Sequence, residues 1–193
     1  AALRNNSVAE EVVLPASVKY IDDFAFAGSA VGKINLENVD YIDGNAFEGC
    51  AQLTSVTLTA EVVYSKAFLN CTGLEEIKLD GTKFINMYVF QGCTSLKHVT
   101  VPASVIALKN EAFRDCTGLE TAEVNVGKLN GTVSSSGTAG NGWFKGCTSL
   151  KTVTFADGLL RLENYLFEGC TSLTTIKLPA TLQRLSAGYG AFK

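Results

Sequence analysis

One twelve-residue pattern recurs along the chain and constrains its fold more than any other feature. The copy at 167–178 reads FEGCTSLTTIKL, with a Cys three residues after the Phe, a Leu three residues after the Cys, and then alternating polar and apolar residues. Further clear copies begin at Phe47, Phe68, Phe90, Phe113 and Phe144. A degenerate copy begins at Phe26, where Ser29 replaces the Cys, and Phe192 opens another.

The spacing of these copies predicts a stack of coils. Successive Phe residues are 21 to 25 residues apart, except for 31 between Phe113 and Phe144, and a fixed period in the twenties is typical of stacked repeats. One unit offers about six apolar side chains worth about 1.5–3 kcal/mol each when buried, whereas ordering its backbone costs about 1–2 kcal/mol per residue. A lone unit therefore cannot fold, and the units must share their faces in a solenoid of about seven to eight repeats.

The alternating part of each unit predicts a strand of a parallel sheet. Ile176 and Leu178 are expected to point inward and Lys177 outward, because side chains along a strand have a period of two. A second apolar pair follows each strand after a turn, as at 18–21 and 105–108. We expect this pair to form the opposite wall of each coil as an extended or short-strand segment.

The residues that precede each strand predict a tight turn. Two residues after each Phe stands Gly, Asn or Asp, the types that tolerate positive φ. We interpret the segment as one short helical turn closed by a left-handed residue. The predicted left-handed positions are Gly28, Gly49, Asn70, Gly92, Asp115, Gly146 and Gly169.

All six cysteines occupy one position of the repeat, so their even number counts repeats and not pairs. They are Cys50, Cys71, Cys93, Cys116, Cys147 and Cys170. We predict a column of small buried hydrophobic side chains, a role that free Cys fills well, in preference to disulfides or metal ligation. CxxC spacing is absent, and one His cannot supply mixed zinc sites. We expect neither a metal nor a cofactor.

Composition and motifs argue against several classes of function. The net charge of −3 and the pI near 5.2 disfavour a nucleic-acid or anionic-membrane surface, which needs a basic footprint. No apolar run approaches the roughly 20 residues of a transmembrane segment. No GxSxG, HExxH, P-loop or GxGxxG signature is present. His98, the only His, is expected to face solvent beside Glu76 and Thr121, and we therefore predict that the chain is not an enzyme.

We expect residues 1–193 to form a single solenoid, interrupted by one insertion. Between Phe113 and Phe144 the chain is about eight residues longer than its siblings, which gives a Gly/Ser/Thr-rich loop at about 127–142. Trp143 replaces the usual Ala before the Phe, and we expect it to cover the base of this loop in preference to contacting a ligand. Neither end carries a polar capping element, so we expect the parent protein to be a longer array.

The repeat resembles a known family. The unit F-x-G-C-T-S-L-x-x-I-x-L-P, opened by Ala-Phe as at Ala46-Phe47 and Ala112-Phe113, is similar to the BspA-like leucine-rich repeat of bacterial and protist surface proteins. This resemblance covers essentially the whole chain. It implies a right-handed α/β solenoid with the parallel sheet on its concave side, an extracellular or cell-surface location, and a role in adhesion. It supplies no catalytic residues.

Two functions remain open at this stage. The first is a non-enzymatic binding or adhesion module that recognises protein or glycan ligands on host or neighbouring cells. Its candidate contact residues lie on the outward strand face and are Thr57, Glu76, Lys78, His98, Thr100, Glu123, Thr154 and Lys177. The alternative is a structural spacer or stalk within a multidomain surface protein.

Overall fold

The computed structural model describes residues 3–7, 10–126, 141–162 and 164–185, in which short parallel strands are the regular structure. The strands are β1 (Glu11–Val12), β2 (Tyr20–Ile21), β3 (Lys33–Ile34), β4 (Tyr41–Ile42), β5 (Ser55–Thr57), β6 (Val62–Val63), β7 (Glu76–Lys78), β8 (Phe84–Ile85), β9 (His98–Val101), β10 (Ala107–Leu108), β11 (Thr121–Val124), β12 (Thr152–Phe155), β13 (Arg161–Leu162), β14 (Thr175–Lys177) and β15 (Arg184–Leu185).

The strands form two columns along a solenoid of about seven turns. The first column contains β1, β3, β5, β7, β9, β11, β12 and β14, and the second contains β2, β4, β6, β8, β10, β13 and β15. Every pairing is parallel, and residues at the same repeat position are register partners. The predicted parallel-strand solenoid is confirmed, and β2 and β10 are the short strands expected at 18–21 and 105–108.

A column of stacked phenylalanine rings runs through the core. Neighbouring ring centroids lie 5.0 to 6.1 Å apart, with planes within 15° of parallel. Such separations are typical of attractive ring packing. The rings belong to the first residue of each repeat, from Phe26 to Phe167, so they mark seven consecutive turns. Stacking of the coils therefore buries the apolar ring faces that a single repeat would expose to water.

The short helical turns expected before each strand are absent, and this prediction is wrong for the described residues. The N–H of Cys50 donates to the carbonyl of Phe47, three residues back, at 3.1 Å. The N–H of Phe47 itself donates to Ala67 in the next coil, at 2.7 Å. Because alternate N–H groups are used between coils in this way, the consecutive local bonds of a helix cannot form.

Stacking continues across the insertion. Its residues 127–140 lie outside the described residues, but β11 on one side pairs with β12 on the other over four residues. The Phe113 and Phe144 rings are stacked at 5.8 Å. Trp143 is buried, and its indole Nε1 donates to the carbonyl of Leu108 at 3.2 Å. This carbonyl lies in β10, which pairs with β8 on one side and with no described strand on the other. The indole N–H therefore takes the place of a strand partner for the Leu108 carbonyl.

Candidate binding surface

The predicted contact residues lie on the outward side of the first column, in two rows. Inward residues such as Val99 and Val153 are buried, and the residues on either side of them face solvent. Strand register aligns His98, Thr121, Thr152 and Thr175 in one row and Thr100, Glu123, Thr154 and Lys177 in the other. Ser55 with Glu76, and Thr57 with Lys78, occupy the same repeat positions on β5 and β7.

Side-chain contacts along and beside these rows are polar. His98 Nδ1 lies 2.6 Å from the hydroxyl oxygen of Thr121, the neighbour expected from sequence. Lys78 pairs with Glu76 at 3.4 Å. Beside the rows, Lys151 donates to Glu120 at 2.8 Å, and this hydrogen bond and charge lower the pKa of the Glu120 carboxyl. The surface is thus a mixed array of hydroxyls and charges of both signs.

The strand ladder is interrupted between β7 and β9, which belong to separate sheets. A shallow depression of about 330 Å³ lies there, with Glu76, Lys78, His98 and Thr100 among its lining residues. The structure therefore brings half of the eight predicted contact residues together at one place. Glu123, Thr154 and Lys177 continue the surface on β11, β12 and β14.

The cysteines line one column, with a donor role that sequence reasoning missed. They are free thiols, buried except for the half-buried Cys170. Each thiol donates to the carbonyl of the repeat Phe in the preceding coil, at 3.0 to 3.4 Å. Burial raises the pKa of Cys71, Cys93 and Cys147 well above the ordinary value and that of Cys170 to about 11. Ser29 occupies the Cys position of the degenerate repeat, and its hydroxyl is also a hydrogen-bond donor. That substitution was the available sequence signal for a donor at this position.

All seven residues predicted to be left-handed have positive φ, between 57° and 76°. A second left-handed column, four residues earlier, was missed: Phe24, Asn45, Lys66, Tyr88, Glu111, Gly142 and Tyr165. Most of these residue types have no preference for positive φ. Their constant place two residues before the repeat Phe was the available signal.

Exposed aromatic side chains lie on the second column, outside the surface predicted from the sequence. Tyr20 and Tyr64 are 65% and 43% exposed, and the rings of Tyr20 and Tyr41 are stacked at 5.1 Å. Tyr-Ile recurs at 20–21 and 41–42, one repeat apart, and that recurrence could have revealed the pair. In contrast, the outward rows of the first column contain no aromatic residue.

The described residues also bear on metal binding and on membrane insertion. No group of three or more His, Cys, Asp and Glu side chains is arranged there to hold a metal ion. Within the same ranges, no helix has the length and apolarity that crossing a bilayer requires.

The coil length, paired strand columns and leucine-rich strand motif define a leucine-rich repeat solenoid. The family model described as the BspA type leucine-rich repeat region, with six copies, matches residues 2–125 and 128–193. The chain therefore belongs to the BspA-type leucine-rich repeat family. No curated protein is similar enough in sequence to give a significant match.

Solved structures share the fold. A leucine-rich repeat protein from Bacteroides ovatus is 25% identical with a TM-score of 0.77; the match covers 91% of this chain but only 44% of that one. The T. pallidum leucine-rich repeat protein is 27% identical with a TM-score of 0.66, over 89% of this chain and 71% of its own. A leucine-rich cell surface protein from Faecalibacterium prausnitzii is 20% identical with a TM-score of 0.60, over 95% and 66%. The chain thus spans less than half of the B. ovatus protein.

Proposed function

We propose that the chain is a non-enzymatic binding module of a secreted or cell-surface protein and recognises a protein ligand through the two outward rows of the first column. The observation that carries the proposal is the uninterrupted register of β9, β11, β12 and β14, which holds eight polar side chains on one rigid face. Rigid elements place contact groups with little loss of conformational entropy on binding.

The composition of the rows supports a protein ligand of mixed polarity. Thr hydroxyls donate and accept hydrogen bonds, while Glu76, Glu123, Lys78 and Lys177 offer charges of both signs. Charge patterns of this kind contribute to specificity and association rate more than to affinity. Because aromatic anchors are missing from the rows, a single copy is expected to bind weakly and to gain strength through multivalency.

The proposed location follows the family. Membership of the BspA-type family implies a surface location, and the F. prausnitzii protein of the same fold is described as a cell surface protein. Display outside the cell would also give a weak binding face the many copies that it needs.

The proposal is tested with a defined probe. The wild-type chain and a chain dimerised through a fused coiled coil are passed over immobilised extracellular-matrix proteins, and retention is measured by surface plasmon resonance. The variant H98A/T100A/E123A removes central row residues without touching the buried positions. We expect the dimer to be retained more strongly than the monomer, and the variant to lose most of that gain.

A matched control is K19A/K66A, which changes charged residues away from the first column. It should behave like the wild type. Equal retention of the wild type, H98A/T100A/E123A and K19A/K66A would contradict binding through the rows and would favour the spacer role. So would a dimer that is retained on none of the surfaces.

A further inference from the structure

A second surface lies on the outward side of the second column. Ile21, Ile42 and Val63 point into the core, so the residues on either side of them point outward. At the β2, β4 and β6 levels these outward positions are Tyr20, Asp22, Tyr41, Asp43, Val62 and Tyr64. All of them except Val62 form what we call the tyrosine–aspartate surface. It lines a depression of about 440 Å³.

The aromatic part of this surface is an anchor that the first column lacks. Tyr20 and Tyr41 are register partners whose rings stack at 5.1 Å with an angle of 5° between their planes. Tyr64 continues the surface on the next coil and is 43% exposed. Tyr is one of the residues that dominate binding energy at protein interfaces, because its large rigid ring loses little entropy when it is covered.

The acidic part of this surface consists of two carboxylates, those of Asp22 and Asp43. The Asp43 carboxylate accepts a hydrogen bond from the N–H of Gly44 at 2.8 Å. Within the described ranges, no Lys or Arg side chain forms an ion pair with Asp22 or Asp43. The ammonium of the nearby Lys19 donates instead to the carbonyl of Asn38 at 2.9 Å. Two carboxylates therefore lie beside three tyrosine rings, with no ion-pair partner in the part of the chain that the structure describes.

We propose that the tyrosine–aspartate surface docks an arginine-bearing, extended segment of a partner protein. A guanidinium group is planar, so it can lie against a tyrosine ring while its N–H groups pair with a carboxylate. Arg and carboxylate form charge-assisted, bidentate hydrogen bonds, which are the strong ones. A neutral glycan could also cover the rings, but it would leave both charges uncompensated. Two guanidinium groups find equivalent places at the β2 and β4 levels, where Tyr20 with Asp22 and Tyr41 with Asp43 occupy the same repeat positions.

The test uses a fluorescein-labelled peptide with four Arg separated by Gly-Ser, and the same peptide with Lys or with citrulline in place of Arg. Fluorescence anisotropy gives the dissociation constants. For the wild-type chain we expect Arg to bind more tightly than Lys, and citrulline to bind least. The variant D22N/D43N keeps side-chain shape and removes both charges, and it should weaken Arg-peptide binding by about fivefold or more.

Two further variants separate local docking from general charge attraction. E37Q/E75Q makes the same change in net charge at exposed glutamates outside both surfaces, and it should alter Arg-peptide binding by less than about twofold. Y41L/Y64L should abolish the preference for Arg over Lys. Thermal unfolding of each variant by circular dichroism checks that the solenoid is intact.

Three results would overturn the proposal: equal losses in D22N/D43N and E37Q/E75Q, no difference between the Arg and citrulline peptides, or saturable binding of neutral oligosaccharides that D22N/D43N leaves unchanged. Because the surface shares no residue with the first-column rows, failure here leaves the binding role proposed above untouched, and the converse also holds.

Discussion

At the scale of single residues, the hydrogen bonds to the carbonyl of the repeat Phe explain why Cys recurs at one position. The Phe68 carbonyl accepts the N–H of Cys71 in its own coil at 3.3 Å and the thiol of Cys93 in the next coil at 3.4 Å. A carbonyl oxygen has two lone pairs, and a buried one is costly to leave half used. A small side chain with one donor is therefore better suited to this position than Ala or Val.

Replacing Cys93 by Ala is expected to reduce the free energy of unfolding by about 1–3 kcal/mol, since it removes buried volume and the thiol donor together. Urea unfolding followed by circular dichroism measures the change. The control is C170A at the half-buried end of the column, where a smaller loss is expected. Equal losses at the two positions would show that the depth of burial does not matter.

The raised thiol pKa values predict how stability depends on alkaline pH. Cys170 has a pKa of about 11 in the folded chain against an ordinary value of 9.0, so above pH 9 the unfolded chain binds fewer protons than the folded chain. The contribution to stability is therefore complete below pH 9 and falls as the pH rises towards 11. Cys71, Cys93 and Cys147 act in the same direction. Cys50 acts in the opposite direction, because the hydrogen bond with the Cys71 thiol lowers its pKa to about 7, so its contribution rises between pH 7 and pH 9.

Urea unfolding at pH 8 and at pH 11 measures this loss of stability, and site-resolved alkylation tests the burial that causes it. At pH 8, iodoacetamide followed by peptide mass spectrometry should find Cys71, Cys93 and Cys147 unmodified in the native chain and fully modified in urea. Cys170 should react slowly in the native chain. Rapid native modification of Cys93 would contradict the buried thiol column.

At the scale of the element, the turn before each strand is held by bonds that run in two directions. Local bonds close the turn three residues back, and the residues between them donate to the next coil. Left-handed residues at both ends of the segment turn the N–H groups into these directions. One of these positions also has a tight neighbour, because a Cβ on Gly92 would collide with the side-chain oxygen of Asn70 in the preceding coil.

Gly92 and Gly49 provide a matched pair for testing this packing. Both have positive φ, 74° and 70°, but the nearest atom to a Cβ at Gly49 is 4.0 Å away. G49A is expected to cost about 1–2 kcal/mol for the left-handed conformation alone. G92A should cost about 1–3 kcal/mol more because of the collision. Chemical denaturation of the two variants gives the difference, and equal costs would mean that Asn70 moves aside freely.

Strands and turns differ in how far the sequence determines them. Local preferences determine the strand alternation at Ile176 and Lys177. They also determine the first left-handed column, which contains Gly, Asn and Asp. Both features could therefore be predicted from the sequence. The positive φ of Lys66 and Tyr88 could not, because bonds to the next coil impose it against those preferences. The missing helical turns have the same cause.

Of the two candidate surfaces, one could be predicted from the local sequence pattern and the other could not. The outward rows of the first column follow from a side-chain period of two, and His98 meets Thr121 as expected. The tyrosine–aspartate surface depends on which residues flank Ile21 and Ile42 in strands of only two residues. So short a strand gives almost no periodic signal, and its outward neighbours become evident only when the coils are stacked.

At the scale of the whole molecule, stability comes from contacts between neighbouring coils, since most pairings join residues one repeat apart. Deleting residues 68–89, one coil of 22 residues, brings Phe90 next to Ala67 and restores the repeat. The shortened chain should still unfold cooperatively, with a denaturant m-value lower by about a tenth.

Deleting only residues 68–78 is the control, because it removes half a coil and places turns opposite strands. This chain should lose its parallel-sheet circular dichroism. If both deletions unfold with the same cooperativity, the coils are not interchangeable units and the nearest-neighbour description does not apply.

The bonds between turns also give the array a polarity. From Phe24 to Gly146, three N–H groups of each turn before a strand donate toward the C-terminal neighbour, whereas N–H groups beside the strands, as at Glu75 and Lys83, donate toward the N-terminal neighbour. Each end of a coil therefore presents donors at one place and carbonyls at another. Two coils extend each other head to tail, because that arrangement sets the donors of one coil against the carbonyls of the next. Growth of such a rod, within one chain or between molecules, is therefore directional.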